Sequence, residues 1–429
     1  MNHKKICVIG LGYIGLPTAT ILANAGCNVH GVDVDIRVIN KLNIGETHIV
    51  EPKLDTMLKK VIQNGKFKAH SEPSSADVFI ICVPTPFKKE AINNFPSPDI
   101  SFVLDAAESI SSFIKEGDLV ILESTSPVGT TKKIENVLKQ NGVNTESIYI
   151  SYCPERVLPG NILDELIMNN RIVGGLSKEA TQATIAFYKN FVKGQVVETS
   201  ANIAEMCKLT ENSFRDLNIA FANELSMICE KENMDVWELI RLANLHPRVD
   251  ILQPGAGVGG HCIAVDPWFI VARNPQHANL IKTARQVNDL KPRWVVDTIV
   301  TIAESKARVL GRPVRIGCLG LVFKPDIDDL RGSPALQIAI ELNESNYHVI
   351  AVEPNIKKAT YKNLSTGETF VKYKPLLRGN TVTVSGAGFD TLEQAQQTVK
   401  DYDEANPKKT FVTLKLEENL RTLANNKRL

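Results

Sequence analysis

The chain holds 429 residues, more than one hydrophobic core ordinarily supports, so two or three domains are expected. Its 49 basic and 48 acidic side chains leave a formal charge of +1, which argues against nucleic-acid and membrane partners and leaves any anionic ligand to local groups. Eight cysteines lack a C-x-x-C pair or metal-ligand spacing, and no apolar run approaches the ~18 residues of a membrane helix, so a cytoplasmic protein with free thiols and no metal site is expected.

Lys4 to Ile9 is an apolar run that ends in Gly10-Leu11-Gly12-Tyr13-Ile14-Gly15. A helical stretch from Leu16 to Ala25 follows, then a second apolar run from Cys27 to Val32 that closes in Asp33. Strand, tight turn, helix, strand and acid in this order are the pattern of a dinucleotide-binding unit. Gly10 makes the turn, Gly12 admits a pyrophosphate, and Gly15 lets helix pack on strand. Asp33 holds the ribose hydroxyls and repels a 2′-phosphate, so the expected cofactor is NAD.

Three further runs, Val78 to Val83, Leu119 to Leu122 and Ile148 to Ile150, are apolar without alternation, as buried parallel strands are. Each opens into Pro84-Thr85-Pro86, Glu123 to Pro127, or Ser151 to Arg156. Ligands bind at such carboxyl ends, although Pro84 and Pro86 also suit plain turns.

From Asn202 to Glu232 the pattern is helical, with an apolar stripe of Ile203, Met206, Cys207, Phe214, Leu217, Phe221, Leu225 and Ile228. Asn202 and Glu205 resemble a capping box. Lys208, Asn212 and Arg215 fall on one helical face; by spacing alone a solvated face is the plainer reading. A helix of this length is a natural bridge between α/β regions and a natural dimer spine.

The stretch Gly255 to Asp266, GAGVGGHCIAVD, sets one thiol, Cys262, after a glycine-dense turn and ahead of Asp266. Glycines permit close backbone approach, and a thiolate attacks carbonyl carbon, although a lone cysteine is more often a buried, inert hydrophobe. A boundary is expected at Gly311-Arg312-Pro313. Beyond it Val314 to Phe323 reads as a strand, Ala335 to Leu342 as a helix, and His348 to Val352 as a strand closing in Glu353. The charged run Lys324 to Arg331 either reaches phosphates or is simply solvated. Past about Gly367, Thr381 to Val384 is a short alternating strand and the run to Lys400 a polar helix candidate.

Six motifs in order carry a resemblance to the UDP-glucose/GDP-mannose dehydrogenase family: Gly10 to Gly15, STSPVGT (Ser124 to Thr130), Pro154-Glu155, EMCKLTEN (Glu205 to Asn212), Gly259-Gly260-His261-Cys262, and Phe323-Lys324-Pro325. The runs CPERVLPG (Cys153 to Gly160), Asn244 to Phe269 and Lys324 to Arg331 look most like the branch that oxidises UDP-N-acetyl-D-mannosamine for bacterial surface polysaccharide. Two features depart from the family pattern: Pro159 stands where glucose-type members often carry a glutamate, and the sequence after about residue 367 lacks the expected late apolar strand.

The resemblance implies an α/β chain with two Rossmann-like doubly wound parallel-sheet domains joined by a central helical region with a long helix. Its divisions are residues 1–200, 201–310 and 311–429. It also implies a four-electron oxidation of a sugar C6 alcohol with NAD, passing through a thiohemiacetal and thioester on Cys262. Lys208, Asn212, Asp266, Glu155 and Thr125 would serve catalysis. Gly10, Gly12, Tyr13, Ile14, Gly15, Asp33, Thr85, Thr125 and Arg331 would contact cofactor. Arg156, Val157, Lys208, Asn212, Arg215, His246, Arg248, Gly259, Phe323 and Lys324 would contact the UDP-sugar, with Arg248 entering a neighbouring subunit's site in a homodimer. Other readings are a dehydrogenase of UDP-N-acetylglucosamine or UDP-glucose, a two-electron hydroxyacid dehydrogenase, and a catalytically impaired nucleotide-binding homologue.

Overall fold

The computed structural model describes residues 4–88, 95–158, 160–260, 262–324, 330–353, 359–362, 369–372, 384–385 and 411–412. The chain divides into two compact units, one of Met1–Asn212 with Val265–Ala278 and one of Ser213–Ala264 with Asn279–Leu429. Among the described residues no helix is long and apolar enough to cross a membrane.

In the first unit, β1 (Lys5–Ile9), β2 (Asn28–Val32), β3 (Phe67–His70), β4 (Val78–Ile81), β5 (Leu119–Leu122), β6 (Tyr149–Tyr152), β7 (Arg171–Gly175) and β8 (Val196–Ser200) form one sheet in the order β3-β2-β1-β4-β5-β6-β7-β8. All neighbours are parallel except β6 and β7. Every residue of β4 and β5 is buried, as strands covered by helices on both faces must be. The order reverses between β1 and β4, and Ile9 pairs with both Val32 and Ile81. That register sets Gly10, Asp33 and Cys82 along the carboxyl edge, where an open α/β sheet offers its crevice. Strands β3, β7 and β8 carry too few apolar residues in a row to stand out in the sequence.

Helix α1 (Gly15–Asn24) follows the glycine turn, and α2 (Thr130–Gln140) follows the loop after β5. The long α3 (Ala201–Lys231) corrects two expectations. Ser200 Oγ accepts from the N–H of Ile203, so Asn202 lies inside the helix. Glu205 reaches instead to the start of α2, accepting from the N–H groups of Gly129 and Thr131 and from the Thr131 hydroxyl. No Asn202–Glu205 capping box forms, because those amides of another helix lack other partners and Glu205 is buried against them.

The second correction concerns the apolar stripe. Ile203, Phe214 and Phe221 are 56%, 68% and 52% exposed, whereas Glu205, Lys208, Asn212, Asp216 and Asn223 are buried. Each of these polar groups meets a partner from another element, Glu205 the start of α2, Lys208 Glu155, Asn212 Asp266, Asp216 Arg285 and Asn223 Asn288, which lowers the usual cost of burying that face.

In the second unit, α5 (Asn279–Leu310) packs Val296, Ile299 and Ala303 into a core with Ile316, Cys318, Ile338 and Leu342. Helix α4 (Asp266–Arg273) belongs to the first unit and α6 (Pro334–Glu344) to the second. Strands β9 (Arg315–Leu319), β10 (His348–Val352), β13 (Val384–Ser385) and β14 (Phe411–Val412) form a parallel sheet in the order β13-β10-β9-β14. A hairpin pairs β11 (Ala359–Lys362) with β12 (Thr369–Lys372). The strand expected to reach Phe323 stops at Leu319 because Gly320 turns the backbone to φ +82°. Of the expected strand Thr381 to Val384, only Val384 is described, and the helix candidate to Lys400 lies outside the described residues.

The two sheets share a device. Asp33 Oδ2 accepts from Leu11 N–H at 3.0 Å in the first. Glu353 Oε2 accepts from Leu321 N–H at 2.6 Å and Val322 N–H at 3.0 Å in the second. In each, an acid at the end of one strand holds the loop that leaves its neighbour. The architecture is α/β, with two Rossmann-like sheets joined by a region of long helices.

Candidate active site

At the carboxyl edge of the first sheet, Gly10 takes φ +88°, a conformation that L side chains rarely adopt. A Cβ on Gly15 would lie 1.8 Å from the Gly10 carbonyl oxygen, so helix and turn touch backbone to backbone. A Cβ on Gly12 would meet no atom within 4 Å. No side chain caps the start of α1; Leu16 N–H donates to the Gly12 carbonyl at 3.1 Å and Thr18 N–H to the Ile14 carbonyl at 3.0 Å. Tyr13 and Ile14 lie half-buried in the same turn. Asp33 spends one oxygen on Leu11 and the other on the N–H of Asp35, at 2.9 Å. This is a cradle that fits a pyrophosphate and a ribose.

The loops after β4 and β5 are tied together: Thr85 Oγ1 donates to the Thr125 carbonyl at 2.6 Å, and Ser124 Oγ to the Val83 carbonyl at 2.7 Å. Glu205 fixes the far end of the second loop. Arg273, at the end of α4, donates to the Val128 carbonyl at 2.7 Å. The Thr125 side chain is thus carried on a loop held by three separate elements.

Beside it lies a buried ionic group. Lys208 Nζ stands 3.7 Å from Glu155 Oε2. Asn212, one helical turn along α3, donates through Nδ2 to Asp266 Oδ2. Burial pushes the Asp266 carboxyl up to about 7, against the opposing pull of Lys208 and the Asn212 hydrogen bond, with Glu155 adding to the rise. Two carboxylates, an ammonium and an amide packed together are suited to moving protons.

The loop after β6 turns back on itself. Glu155 accepts from the N–H of Val157, and Glu165 Oε2 accepts from the N–H of Leu158 at 2.8 Å. Glu51 receives the N–H groups of Gly160 and Ile162 at 2.8 and 2.7 Å. Arg156 is bound through Nε and NH2 to Glu211 at 3.1 and 2.7 Å, and NH1 donates to the Asn170 carbonyl.

Cys262 belongs to the second unit and is exposed. Its loop presses against that unit: Cβ atoms on Gly259 and Gly260 would come within 2.5 Å and 2.9 Å of Phe323. Phe323 and Lys324 follow β9 half-buried, and Arg331 is exposed. His246 and Arg248 are also exposed, in a bend closed by Asn244, which exchanges two hydrogen bonds with the backbone of Ile251. Arg215 is exposed as well, unlike Lys208 and Asn212 on the same helix. His261, Pro159 and Pro325 to Asp329 lie outside the described residues.

Reading the sequence misses the groups that hold these loops. Glu51, Glu123 and Arg273 carry no signal beyond being charged, Glu205 signals a cap on its own helix that it does not make, and the partners of all four lie far along the chain. Glu123 illustrates this: it is 1% exposed, accepts from Tyr188 OH at 2.6 Å and Thr18 Oγ1 at 3.3 Å, and faces Arg171 at 3.7 Å.

Comparison with known proteins gives this geometry a family. Three parts of the UDP-glucose/GDP-mannose dehydrogenase family match in order: the NAD binding domain over residues 4–192, the central domain over 202–290 and the UDP binding domain over 317–411. A UDP-N-acetyl-D-mannosamine dehydrogenase of Campylobacter jejuni is 52% identical over 373 residues, covering 84% of this chain and 89% of that protein. An NDP-N-acetyl-D-galactosaminuronic acid dehydrogenase of Ralstonia nicotianae is 50% identical over 368 residues, covering 83% and 84%. Among solved structures, the UDP-D-ManNAc dehydrogenase of Pyrococcus horikoshii aligns with TM-score 0.77 and 40% identity, covering 82% of this chain and 84% of that one. The chain therefore belongs to the UDP-glucose/GDP-mannose dehydrogenase family and is an NAD-dependent UDP-sugar dehydrogenase.

Proposed function

We propose that the chain oxidises UDP-N-acetyl-D-mannosamine at C6 to UDP-N-acetyl-D-mannosaminuronate for bacterial surface polysaccharide. The observation that carries this reading is the buried cluster of Lys208, Glu155, Asn212 and Asp266 beside the cofactor cradle. The names of several relatives at about half identity, UDP-N-acetyl-D-mannosamine dehydrogenases, support the substrate.

Gly10, Gly12, Tyr13, Ile14, Gly15 and Asp33, with Thr85, Thr125 and Arg331, would hold NAD+, which would supply the hydride acceptor for each of two oxidations. Lys208, in its neutral form with its proton passed to the neighbouring Glu155 carboxylate, takes the C6 hydroxyl proton in the first, with Asn212 donating to the same oxygen. The aldehyde then receives the Cys262 thiolate; a C–S bond forms, and Lys208 returns a proton to the new oxyanion. Loss of the second hydride, with the hydroxyl proton going back to Lys208, leaves a thioester. Glu155, with Thr125 and Asp266 ordering the water, removes a proton as water attacks; the C–S bond breaks and acid and thiol are released. Arg156, Val157, Arg215, His246, Arg248, Gly259, Phe323 and Lys324 hold the sugar nucleotide, cations meeting phosphate and the phenyl ring and backbone meeting the base.

The same reading assigns residues 1–200 to cofactor, 201–310 to catalysis and dimerisation, and 311–429 to the UDP-sugar. The exposed apolar face of α3 supports a homodimer, since a patch of this kind marks an interaction surface. Eight free thiols support a reducing cytoplasm.

The test is the yield of NADH per sugar nucleotide across UDP-N-acetylmannosamine, UDP-N-acetylglucosamine, UDP-N-acetylgalactosamine and UDP-glucose. Two equivalents with the first and little turnover of the others are expected. One equivalent would mean simple alcohol oxidation, and none with NAD+ still bound would mean a nucleotide-binding homologue without activity.

A further inference from the structure

A second buried polar chain lies wholly within the second unit and takes no part in the chemistry above. Asn223 Oδ1 accepts from the N–H of Gly255 at 2.8 Å, and Asn223 Nδ2 donates to Asn288 Oδ1 at 2.8 Å. Asn288 Nδ2 donates to Asp216 Oδ1 at 2.8 Å and to the Asp216 carbonyl at 2.9 Å. Arg285 closes the chain, donating through NH1 to Asp216 and through Nε and NH2 to Asp289 at 3.2 and 2.9 Å. Asp216, Asn223, Arg285 and Asn288 are each no more than 1% exposed.

Each link orients the next. Burial pushes the Asp216 carboxyl up to about 6, against the pull of Arg285 and the Asn288 hydrogen bond, so at neutral pH it is charged and only accepts. Asn288 must therefore turn its amide NH2 to Asp216 and its oxygen to Asn223. Asn223 is then left with its oxygen for one N–H, that of Gly255. An amide turned the other way would set NH2 against NH2 or oxygen against carboxylate, at a buried position where such a clash is costly.

Gly255 opens the glycine-dense turn that carries Cys262, and two further glycines of the turn lie in steric contact with their surroundings. A Cβ on Gly257 would meet Pro292 and Pro334 at 3.0 and 3.1 Å, and one on Gly259 would meet the Gly332 carbonyl at 2.8 Å. Contacts of this kind limit how close the turn comes, while the Asn223 bond fixes where it starts. The helix supplies a reason for the placement: 208, 212, 216, 220 and 223 recur at the spacing of one face of α3, and all five residues are buried.

We infer that Asn223, Asn288 and the Asp216–Arg285 pair are positioning residues that hold the Cys262 turn in register for addition to the aldehyde. The inference rests on the thiol mechanism proposed above. It assigns to these residues an effect on the aldehyde-to-acid half of the reaction, which needs sulfur, and little on the alcohol-to-aldehyde half, which does not.

The test compares Asn223→Ala, Asn288→Ala and the pair together, with Asn223→Asp as the conservative variant, in the full chain. Each is assayed for NAD+ affinity, for conversion of the UDP-sugar 6-aldehyde to acid, and for alkylation of Cys262 by iodoacetamide. Asn223→Ala is expected to bind NAD+ as the parent does and to lose about 10–100-fold in aldehyde oxidation, the scale of a misplaced reacting group. The double variant should lose no more than the worse single one, because one chain is broken only once. Asn223→Asp retains the acceptor for Gly255 and, with its carboxyl held protonated by burial, a donor toward Asn288 Oδ1; it should recover part of the rate at pH 6 and lose it again at pH 8, which also keeps the test open if the alanine variant does not fold. Aldehyde oxidation and alkylation within twofold of the parent in folded variants overturn the inference. Cys262→Ser serves as the control: acid formation without the thiol sinks the mechanism and the inference with it, whereas acid lost in Cys262→Ser but unchanged in Asn223→Ala sinks the inference alone.

Discussion

Asn212 holds Asp266 through a side-chain hydrogen bond, and the same carboxylate faces the ammonium of Lys208. Burial pushes Asp266 up to about 7, so it loses its proton only near neutrality. Its folded pKa lies above its ordinary value of 3.8; the folded chain thus binds the extra proton between about 4 and 7, and the stability this gives is lost as pH rises through that window. Asp266→Asn is expected to remove that slope from the pH dependence of unfolding. It should also flatten the rise of kcat through pH 7 and lower kcat about 100-fold at its maximum. Denaturant titrations and rate profiles from pH 5.5 to 9 check both; an unchanged profile would remove Asp266 from the proton path.

Gly12 and Gly15 should respond oppositely to the same methyl group. Gly15→Ala drives a Cβ to 1.8 Å from the Gly10 carbonyl oxygen, so the turn must open and both fold and NAD+ binding should suffer. Gly12→Ala meets nothing within 4 Å; its melting temperature should stay that of the parent while NAD+ affinity falls about tenfold or more, because the methyl takes pyrophosphate space. Thermal denaturation with and without NAD+ separates the two. A Gly12→Ala enzyme with parental affinity would move the pyrophosphate elsewhere.

Cys262→Ser replaces a thiol, whose thiolate form is the nucleophile, with a hydroxyl that stays protonated at neutral pH. The variant is expected to bind NAD+ and sugar nucleotide normally, since its site is exposed, and to form acid at least about 100-fold more slowly. Mass spectrometry of the parent quenched in turnover should find the sugar nucleotide attached at Cys262, and full acid formation by the serine enzyme would end the thioester route.

Lys291 offers a test of stability away from the site. Its ammonium is 3% exposed, hydrogen-bonded to Ser226 at 2.6 Å and set 3.7 Å over the Trp294 ring, and burial lowers it to about 8. Because the unfolded chain retains that proton up to 10.5, stability should rise with pH between about 8 and 10.5. Lys291→Met retains the packing and removes the buried charge; it should gain about 1 kcal/mol at pH 7 and lose the alkaline rise. Urea unfolding at pH 7 and pH 10 measures both, and a destabilised methionine variant would assign the net benefit to the cation over the ring.

Local chemistry makes the cofactor half of the protein legible in its residue order. A glycine turn, its flanking apolar runs and Asp33 are neighbours along the chain as well as in space, so their spacing alone carries the fold and the cofactor. The strands at Leu119 and His348 are equally plain, being short apolar runs bounded by polar turns. The long helix from residue 201 is visible too, but periodicity mistakes its inside for its outside: Ile203, Phe214 and Phe221 face outward while Lys208, Asn212 and Asp216 are buried. Hydrophobic spacing finds the face that leaves water when that face is apolar, and here charged and amide groups pair with partners that only folding brings near.

Residue order suffices for a two-sheet α/β chain with a nicotinamide cradle and a thiol on a glycine turn, because each of those features is built from adjacent residues. Folding in three dimensions is what sets Lys208 between two carboxylates, lets Glu51 and Glu205 clamp loops about a hundred and about seventy-five residues away, and brings Asn223 to Gly255. A buried hydrogen bond between distant positions leaves no periodicity and no spacing in the chain; its worth exists only where water has been excluded.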